Sequence, residues 1–264
     1  MNALARPKPG PILSAHGIVN RFGKQVVHDK LSLDIEPGEI LGIAGGSGSG
    51  KSVLLKTLVG LNRPDAGKVE LNGKPIDAID GTEKASLIGV LFQQGALFSS
   101  LTVAQNIMLP LREHTDLGTE EQERIAAMKL ELAGMQAESG AKFPAELSGG
   151  MVKRAAFARA LALDPRILFL DEPTSDLDPL TASGIDALVR RLNESLGVTV
   201  VIVTHDLTTL FTVCHRIAIL ADGKVKADTL EKLLRSDHPW TREFLHGPRA
   251  QGAMTTRKKS HGIG

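Results

Sequence analysis

Hydrophobic positions along the chain fall into two rhythms. From residue 12 to 44 they come in short runs broken by turns: Ile12-Leu13, Ile18-Val19, a turn at Phe22-Gly23-Lys24, Val26-Val27, and the alternation Leu31-Ser32-Leu33-Asp34-Ile35. A period of two predicts strands with one buried face. Pro37-Gly38 predicts a turn into Ile40-Leu41-Gly42-Ile43-Ala44, an apolar run suited to a strand covered on both faces. Val53 to Leu58 reads as a helix ending between Gly60 and Pro64, and Lys68-Val69-Glu70-Leu71 with Asn72-Gly73 returns to the antiparallel pattern.

Between residues 96 and 163 the period lengthens to that of helices. Thr119-Glu120-Glu121-Gln122 has the spacing of a capping box, and Ile125, Met128 and Leu132 then share one face, expected to pack on a core. Arg166-Ile167-Leu168-Phe169-Leu170 and Val198-Thr199-Val200-Val201-Ile202-Val203 are again continuous apolar strands. Between them Asp178 with Pro179 predicts a helix start and Gly197 its end. Arg216 to Leu220 and Lys224 to Ala227 flank Asp222-Gly223 as a hairpin. From Gly247 onward, glycines and Arg257-Lys258-Lys259 predict a flexible tail. The succession predicts an α/β fold with a mixed sheet core, an antiparallel β layer and a helical subdomain. One domain would span 12–235, with its α/β core at 12–95 and 164–235 and the helical subdomain at 96–163; 236–264 would be a C-terminal extension.

Composition narrows the class. The 264 residues are 42% hydrophobic, enough for a large core, and 31 basic against 30 acidic residues give a formal charge of +1. No global field attracts nucleic acid or an anionic bilayer, so no nucleic-acid partner is expected. A single cysteine, Cys214, excludes an intrachain disulfide and reads as a small buried hydrophobe. No apolar run reaches the ~18 residues that span a bilayer, and Met1 to Pro11 has no apolar signal core. A cytoplasmic location is expected.

The chemistry centres on Gly45-Gly46-Ser47-Gly48-Ser49-Gly50-Lys51-Ser52, set between an apolar strand and a helix. Glycines let backbone N–H groups turn inward around a polyphosphate, and the helix start adds its dipole. Lys51 suits the β and γ phosphates, and the Ser52 hydroxyl suits Mg²⁺. Asp171 and Glu172 end a second strand: the first can hold the hydrated metal ion, the second can take a proton from water. His205, after another strand, can donate to the γ phosphate and place the attacking water. Gln93 follows Gly89-Val90-Leu91-Phe92 and is a neutral ligand for the metal or water. A second serine and glycine helix start, Leu147-Ser148-Gly149-Gly150-Met151, can also receive an anion, although the chain has one phosphate loop.

These motifs, in this order and spacing, resemble the nucleotide-binding subunits of ABC transporters over about residues 12 to 235. Gly45 to Ser52 is similar to the Walker A loop of that P-loop NTPase fold, Gln93 to the Q-loop, and Leu147 to Met151 to the signature. Ile167 to Asp171 resembles the Walker B strand with Glu172 as catalytic glutamate, Ser175 to Asp178 the D-loop, and His205 the switch histidine. The resemblance implies ATP and Mg²⁺, adenine stacking on Phe22 with Val27 beside it, and a head-to-tail homodimer in which Ser148 and Gly150 of one chain meet the nucleotide held by Lys51 of the other. Met151 stands where glutamine is usual, and Asp176 where glycine or alanine is common.

Gly89 to Val103, the Gly149-Gly150-Met151-Val152-Lys153-Arg154 signature, His238-Pro239-Trp240 and His246-Gly247-Pro248-Arg249 resemble the ATPase of Mla-type (MCE) systems, which move phospholipids between inner and outer membranes. That implies a membrane permease whose coupling helix seats near Gln94 to Leu101, a periplasmic MCE lipid-binding protein, often a small STAS-domain subunit, and a place on the cytoplasmic face of the inner membrane. The alternative is the ATPase of a small-solute importer. A non-transport ATPase acting on nucleic acid or ribosomes fits less well, since there is one phosphate loop and no long insertion; a non-hydrolysing cassette is disfavoured by Glu172 and His205.

Overall fold

The computed structural model describes the backbone of residues 10–260 and side chains as far as residue 257; the readings placed on residues 1–9 and 261–264 lie outside the described residues. In chain order the elements are β1 (Leu13–Phe22), β2 (Gln25–Ile35), β3 (Ile40–Gly45), α1 (Lys51–Leu58), β4 (Ala66–Leu71), β5 (Lys74–Pro75), α2 (Gly81–Leu87) and β6 (Ile88–Leu91). Then come α3 (Val103–His114), α4 (Thr119–Leu132), α5 (Gly149–Ala160), β7 (Ile167–Asp171), α6 (Pro179–Leu196), β8 (Thr199–Val203) and α7 (Leu207–Thr212). The chain continues through β9 (Arg216–Ala221), β10 (Lys224–Asp228), α8 (Leu230–Leu233), α9 (Pro239–His246) and α10 (Pro248–Ser260).

Two sheets result. β2-β1-β4-β5 is antiparallel, and β10-β9-β3-β8-β7-β6 is parallel except for the β10–β9 hairpin at its edge. The apolar runs of β3, β7 and β8 are buried at every position, as strands covered on both faces must be. One core lies between the two sheets and includes Leu54, Leu55 and Leu58 of α1; another joins α3, α4 and α5 to the opposite face of the parallel sheet. The strand order is what builds the site. Ile43 and Asp171 both stand opposite Val203, so the ends of β3, β8 and β7 lie side by side at one rim, where side chains and helix starts converge in sheets of this kind.

Four local readings change. The runs at Ile12-Leu13 and Ile18-Val19 belong to one bulged strand, because register shifts carry β1 past Gly17 without ending it. The capping box expected at Thr119 and Gln122 sits one residue earlier: Gly118 is the N-cap and its N–H donates to Glu121 Oε2 at 3.2 Å, while the Gln122 amide reaches the Leu117 carbonyl at 2.7 Å. On α4 Ile125 and Leu132 pack inward, but Met128 is 52% exposed, and Ala126 and Leu130 take the buried positions. Nor is the C-terminal segment from Gly247 a flexible tail as far as Ser260. It forms α10, whose Ala250 and Ala253 are buried against Leu210 and Phe211, with Arg257 donating to Glu231 at 2.7 Å. Alanines three apart make a stripe narrow enough for close packing, which the glycines and basic residues around them mask.

Candidate functional site

The loop after β3 is shaped by what surrounds it. Gly50, the N-cap of α1, has φ of 94°, and a Cβ there would lie 2.3 Å from Val27 Cγ1 and 2.7 Å from His28 Nε2. Glycine is therefore required twice over, by conformation and by space. At Gly45 a Cβ would meet the Leu220 carbonyl and Ser49 Oγ, each at 2.6 Å. Trp240 of α9, stacked on Phe244 with ring centroids 4.7 Å apart, approaches Gly46 in the same way, its Nε1 lying 3.4 Å from the Cβ position. The loop is thus held between β2, the end of β9 and the C-terminal helices.

Lys51 Nζ donates to the carbonyls of Gly45 at 2.8 Å and Gly46 at 3.0 Å. Burial lowers its pKa, opposed by the Glu172 and Asp171 carboxylates. Asp171 is shifted up, first by burial and then by Glu172, while hydrogen bonding from Ser52 and the charges of Lys153 and Lys56 pull it back. Ser52 and Asp171 are therefore paired oxygen donors, the kind a hard divalent ion takes. Ser49 Oγ is buried with no partner among the described residues. A glycine cradle around an unpaired hydroxyl, beside a cation and a hydroxyl–carboxylate pair, fits a polyphosphate with its Mg²⁺.

Glu172 is the pivot of the rim. It has φ of 48°, in the left-handed region that a residue with a Cβ seldom adopts. Its N–H donates to the Val203 carbonyl at 2.8 Å. Its carboxylate faces two groups from the end of β8: Thr204 Oγ1 donates to Oε2 at 3.3 Å, and His205 Nδ1 lies 2.8 Å from Oε1. Thr204 is buried and His205 exposed, so the carboxylate is anchored on its inner side and reached from solvent by the imidazole.

The structure thus brings Gly45 through Ser52, Asp171, Glu172 and His205 to one rim, with Val27 against the loop. Phe22, at the end of β1, is 55% exposed. Gln93 also has an exposed side chain, and its carbonyl accepts from Lys153 Nζ. Ser148, Gly149 and Gly150 stand apart. Ser148 caps α5, its Oγ accepting from Met151 N–H at 3.4 Å, and no hydrogen bond among the described residues joins this turn to the phosphate loop. Three contributors were given no place in the site by the sequence: Thr204, and also Trp240 and Lys153, although these two lie in stretches that carry the family resemblance. Lys153 has one further signal, a lysine one turn before Phe157 on a helix that is otherwise rich in buried alanine.

Comparison with known proteins agrees with this geometry. A match to the family described as ABC transporter covers residues 28–175. The chain is 41% identical over 244 residues to the probable ribonucleotide transport ATP-binding protein mkl of Mycobacterium leprae, covering 91% of this chain and 70% of that protein. It is 38% identical over 240 residues to the intermembrane phospholipid transport system ATP-binding protein MlaF of Haemophilus influenzae, covering 89% and 90% respectively. Among solved structures it is similar to the dimeric post-hydrolysis state of the ATP-binding cassette MJ0796 bound to ADP and Pi. There the TM-score is 0.76 at 34% identity, over 83% of this chain and 98% of that one.

Proposed function

The chain belongs to the ABC transporter family, as an ATP-hydrolysing subunit, and from that premise we propose that it powers phospholipid movement between inner and outer membranes. It would act as a head-to-tail homodimer beneath a membrane permease, with a periplasmic MCE protein and a small STAS-domain subunit as further partners. The observation that carries the lipid reading is the match to MlaF along 90% of that protein's length. No helix among the described residues is long and apolar enough to cross a membrane, so the permease would supply the membrane part and hold this subunit at the cytoplasmic face of the inner membrane.

The chain's own residues divide the work of hydrolysis. The backbone N–H groups of Gly46 to Gly50 and the Lys51 ammonium receive the β and γ phosphates of ATP. Ser52, Asp171 and Gln93 would hold Mg²⁺, which when bound neutralises charge on the phosphoryl oxygens. Glu172 takes the proton from the attacking water, and Thr204 keeps its carboxylate turned toward the rim. His205, whose Nδ1 lies 2.8 Å from Glu172 Oε1, is placed to orient that water and donate to the γ phosphate. Phe22 and Val27 would receive the adenine. Ser148, Gly149 and Gly150 would complete the pocket of the partner chain.

The mkl relative favours a second reading, since its name assigns it a ribonucleotide cargo; a small-solute importer would share every catalytic group. Purification through a tag on this chain separates the two. Recovery of a multi-spanning permease together with an MCE protein is expected, and recovery of a solute-binding protein in their place overturns the lipid reading. Glu172→Gln tests the hydrolytic assignment: turnover should fall ~10²- to 10⁴-fold with ATP still bound, and near-normal turnover removes Glu172 from its role.

A further inference from the structure

Lys153 lies in the first half of α5, 7% exposed, where the neighbouring inward positions are Ala155, Ala156, Phe157 and Ala158. A buried ammonium is strongly unfavourable through lost hydration unless its three N–H groups find acceptors. All three do, and each acceptor belongs to a different motif. Lys153 Nζ donates to the carbonyl of Gln93, to the carbonyl of Glu172 at 3.0 Å and to Ser175 Oγ at 3.4 Å. Burial lowers the lysine's pKa, and Asp176, Glu172 and Asp171 oppose that shift, so the ion is compensated by charge as well as by hydrogen bonds.

The Glu172 carbonyl receives a second donor, Ser175 Oγ at 2.9 Å. With the Glu172 N–H fixed on Val203 at 2.8 Å, the peptide groups on both sides of this residue are held. A residue with a Cβ keeps a φ of 48° only where its surroundings over-determine it, since the conformation is strained. Lys153 is one of the groups doing so, and it stands on the helix that opens at Ser148, the turn that would read the partner's nucleotide.

We propose that Lys153 is a positioning residue for ATP hydrolysis: from the signature helix it clamps the backbone of Gln93, Glu172 and the Ser175 turn, so that the seating of Ser148 on a partner is felt by this chain's own carboxylate. The proposal rests on the reading of Glu172 as general base. It also gives Asp176 a role. This residue has φ of 62°, in the left-handed region, and its carboxylate offsets the Lys153 charge.

The test compares full-length wild type, Lys153→Met, Lys153→Arg and Glu172→Gln in steady-state Mg-ATP turnover, with amide hydrogen exchange of residues 172–176 measured without nucleotide. A clamp predicts that Lys153→Met lowers kcat on the order of 10- to 100-fold with KM within about threefold, and that exchange at 172–176 quickens. Lys153→Arg, which keeps the charge and several donors, should regain most of the rate. The proposal is overturned if Lys153→Met keeps kcat within about twofold, if exchange at 172–176 is unchanged, or if kcat and KM deteriorate together and arginine restores neither. Should Lys153→Met fail to fold, Lys153→Gln, which retains one amide donor, takes its place under the same criteria. A normal rate in Glu172→Gln would sink the reading of the base, whereas a dead Glu172→Gln beside a normal Lys153→Met would sink the clamp alone.

Discussion

Two helices in this chain begin on glycine-rich turns, and they begin differently. α1 starts after Gly50, at φ of 94° with no side chain capping it; α5 starts after Ser148, at φ of −68°, whose hydroxyl caps it by accepting from Met151. Around the first stand a cation, two carboxylates and the Ser52 hydroxyl, which lowers the pKa of one of them. The second offers N–H groups and one hydroxyl, still free to donate because it is used only as an acceptor. The first turn can hold a charged ligand by itself. The second has donors and nothing to balance a metal, so it is equipped to finish a site and not to start one.

The largest effect should come from taking the cation away from the first turn. Lys51→Ala is expected to weaken nucleotide binding by the isolated chain ~100-fold or more and to abolish measurable turnover, read by titration with a fluorescent nucleotide and by phosphate release. Ser148→Ala should leave that single-chain affinity within about threefold and lower turnover on the order of 10-fold, since it removes a donor and a helix cap together. If Ser148→Ala weakened binding by a single chain as much as Lys51→Ala does, the two turns would not be separate half-sites.

Legibility in the sequence follows the same division. The phosphate loop, β3, β7 and β8 were readable because each is a continuous local pattern: unbroken apolar runs for strands buried on both faces, then a polar residue at the rim. What escaped is what depends on distant partners. The capping box shifted by one residue because Glu121 competes with Gln122 for the returning contact. α10 was hidden because two buried alanines carry little hydrophobic signal. Thr204, Trp240 and Lys153 act at the rim through residues 32, 194 and 60 positions away, a relation that no window along the chain can show.

A lesser effect, on stability rather than on turnover, is expected where α6 meets α7. Asp186 of α6 is buried, both its oxygens lie 3.1 and 3.0 Å from Thr209 Oγ1, and that hydroxyl is also 3.0 Å from Asp206, the residue after His205. One hydroxyl proton cannot serve both carboxylates, so a proton held on Asp186 completes the set. Burial above all, with Asp206 adding to it and Thr209 and Arg190 opposing, raises this pKa from 3.8 to about 7. The folded chain therefore holds a proton between about pH 4 and 7 that the unfolded chain has lost, and its stability falls as pH rises through that window, then levels. Asp186→Asn should flatten the decline and raise the melting temperature at pH 8, with a gain of at most about 4 kcal/mol. An unchanged pH profile would show that Asp186 is ionised throughout.

The smallest effect is expected at Met151, the residue that departs from the usual glutamine of the second turn. Its backbone N–H donates to Ser148 Oγ at 3.4 Å, and its half-buried side chain packs against the apolar cluster of the helical subdomain. The groups available to a phosphate here are the Ser148 hydroxyl and the backbone N–H groups of the turn, none of which changes with the side chain at 151. Met151→Gln would exchange a flexible thioether for an amide of similar length that can still reach water, so less than about 1 kcal/mol of stability should be lost. Turnover should move by less than about threefold, while single-chain nucleotide affinity stays at the wild-type value. A gain of ten-fold or more would mean that the methionine itself holds the second turn below its capacity, and the contrast between the two helix starts would then lie in one side chain rather than in their caps and charges.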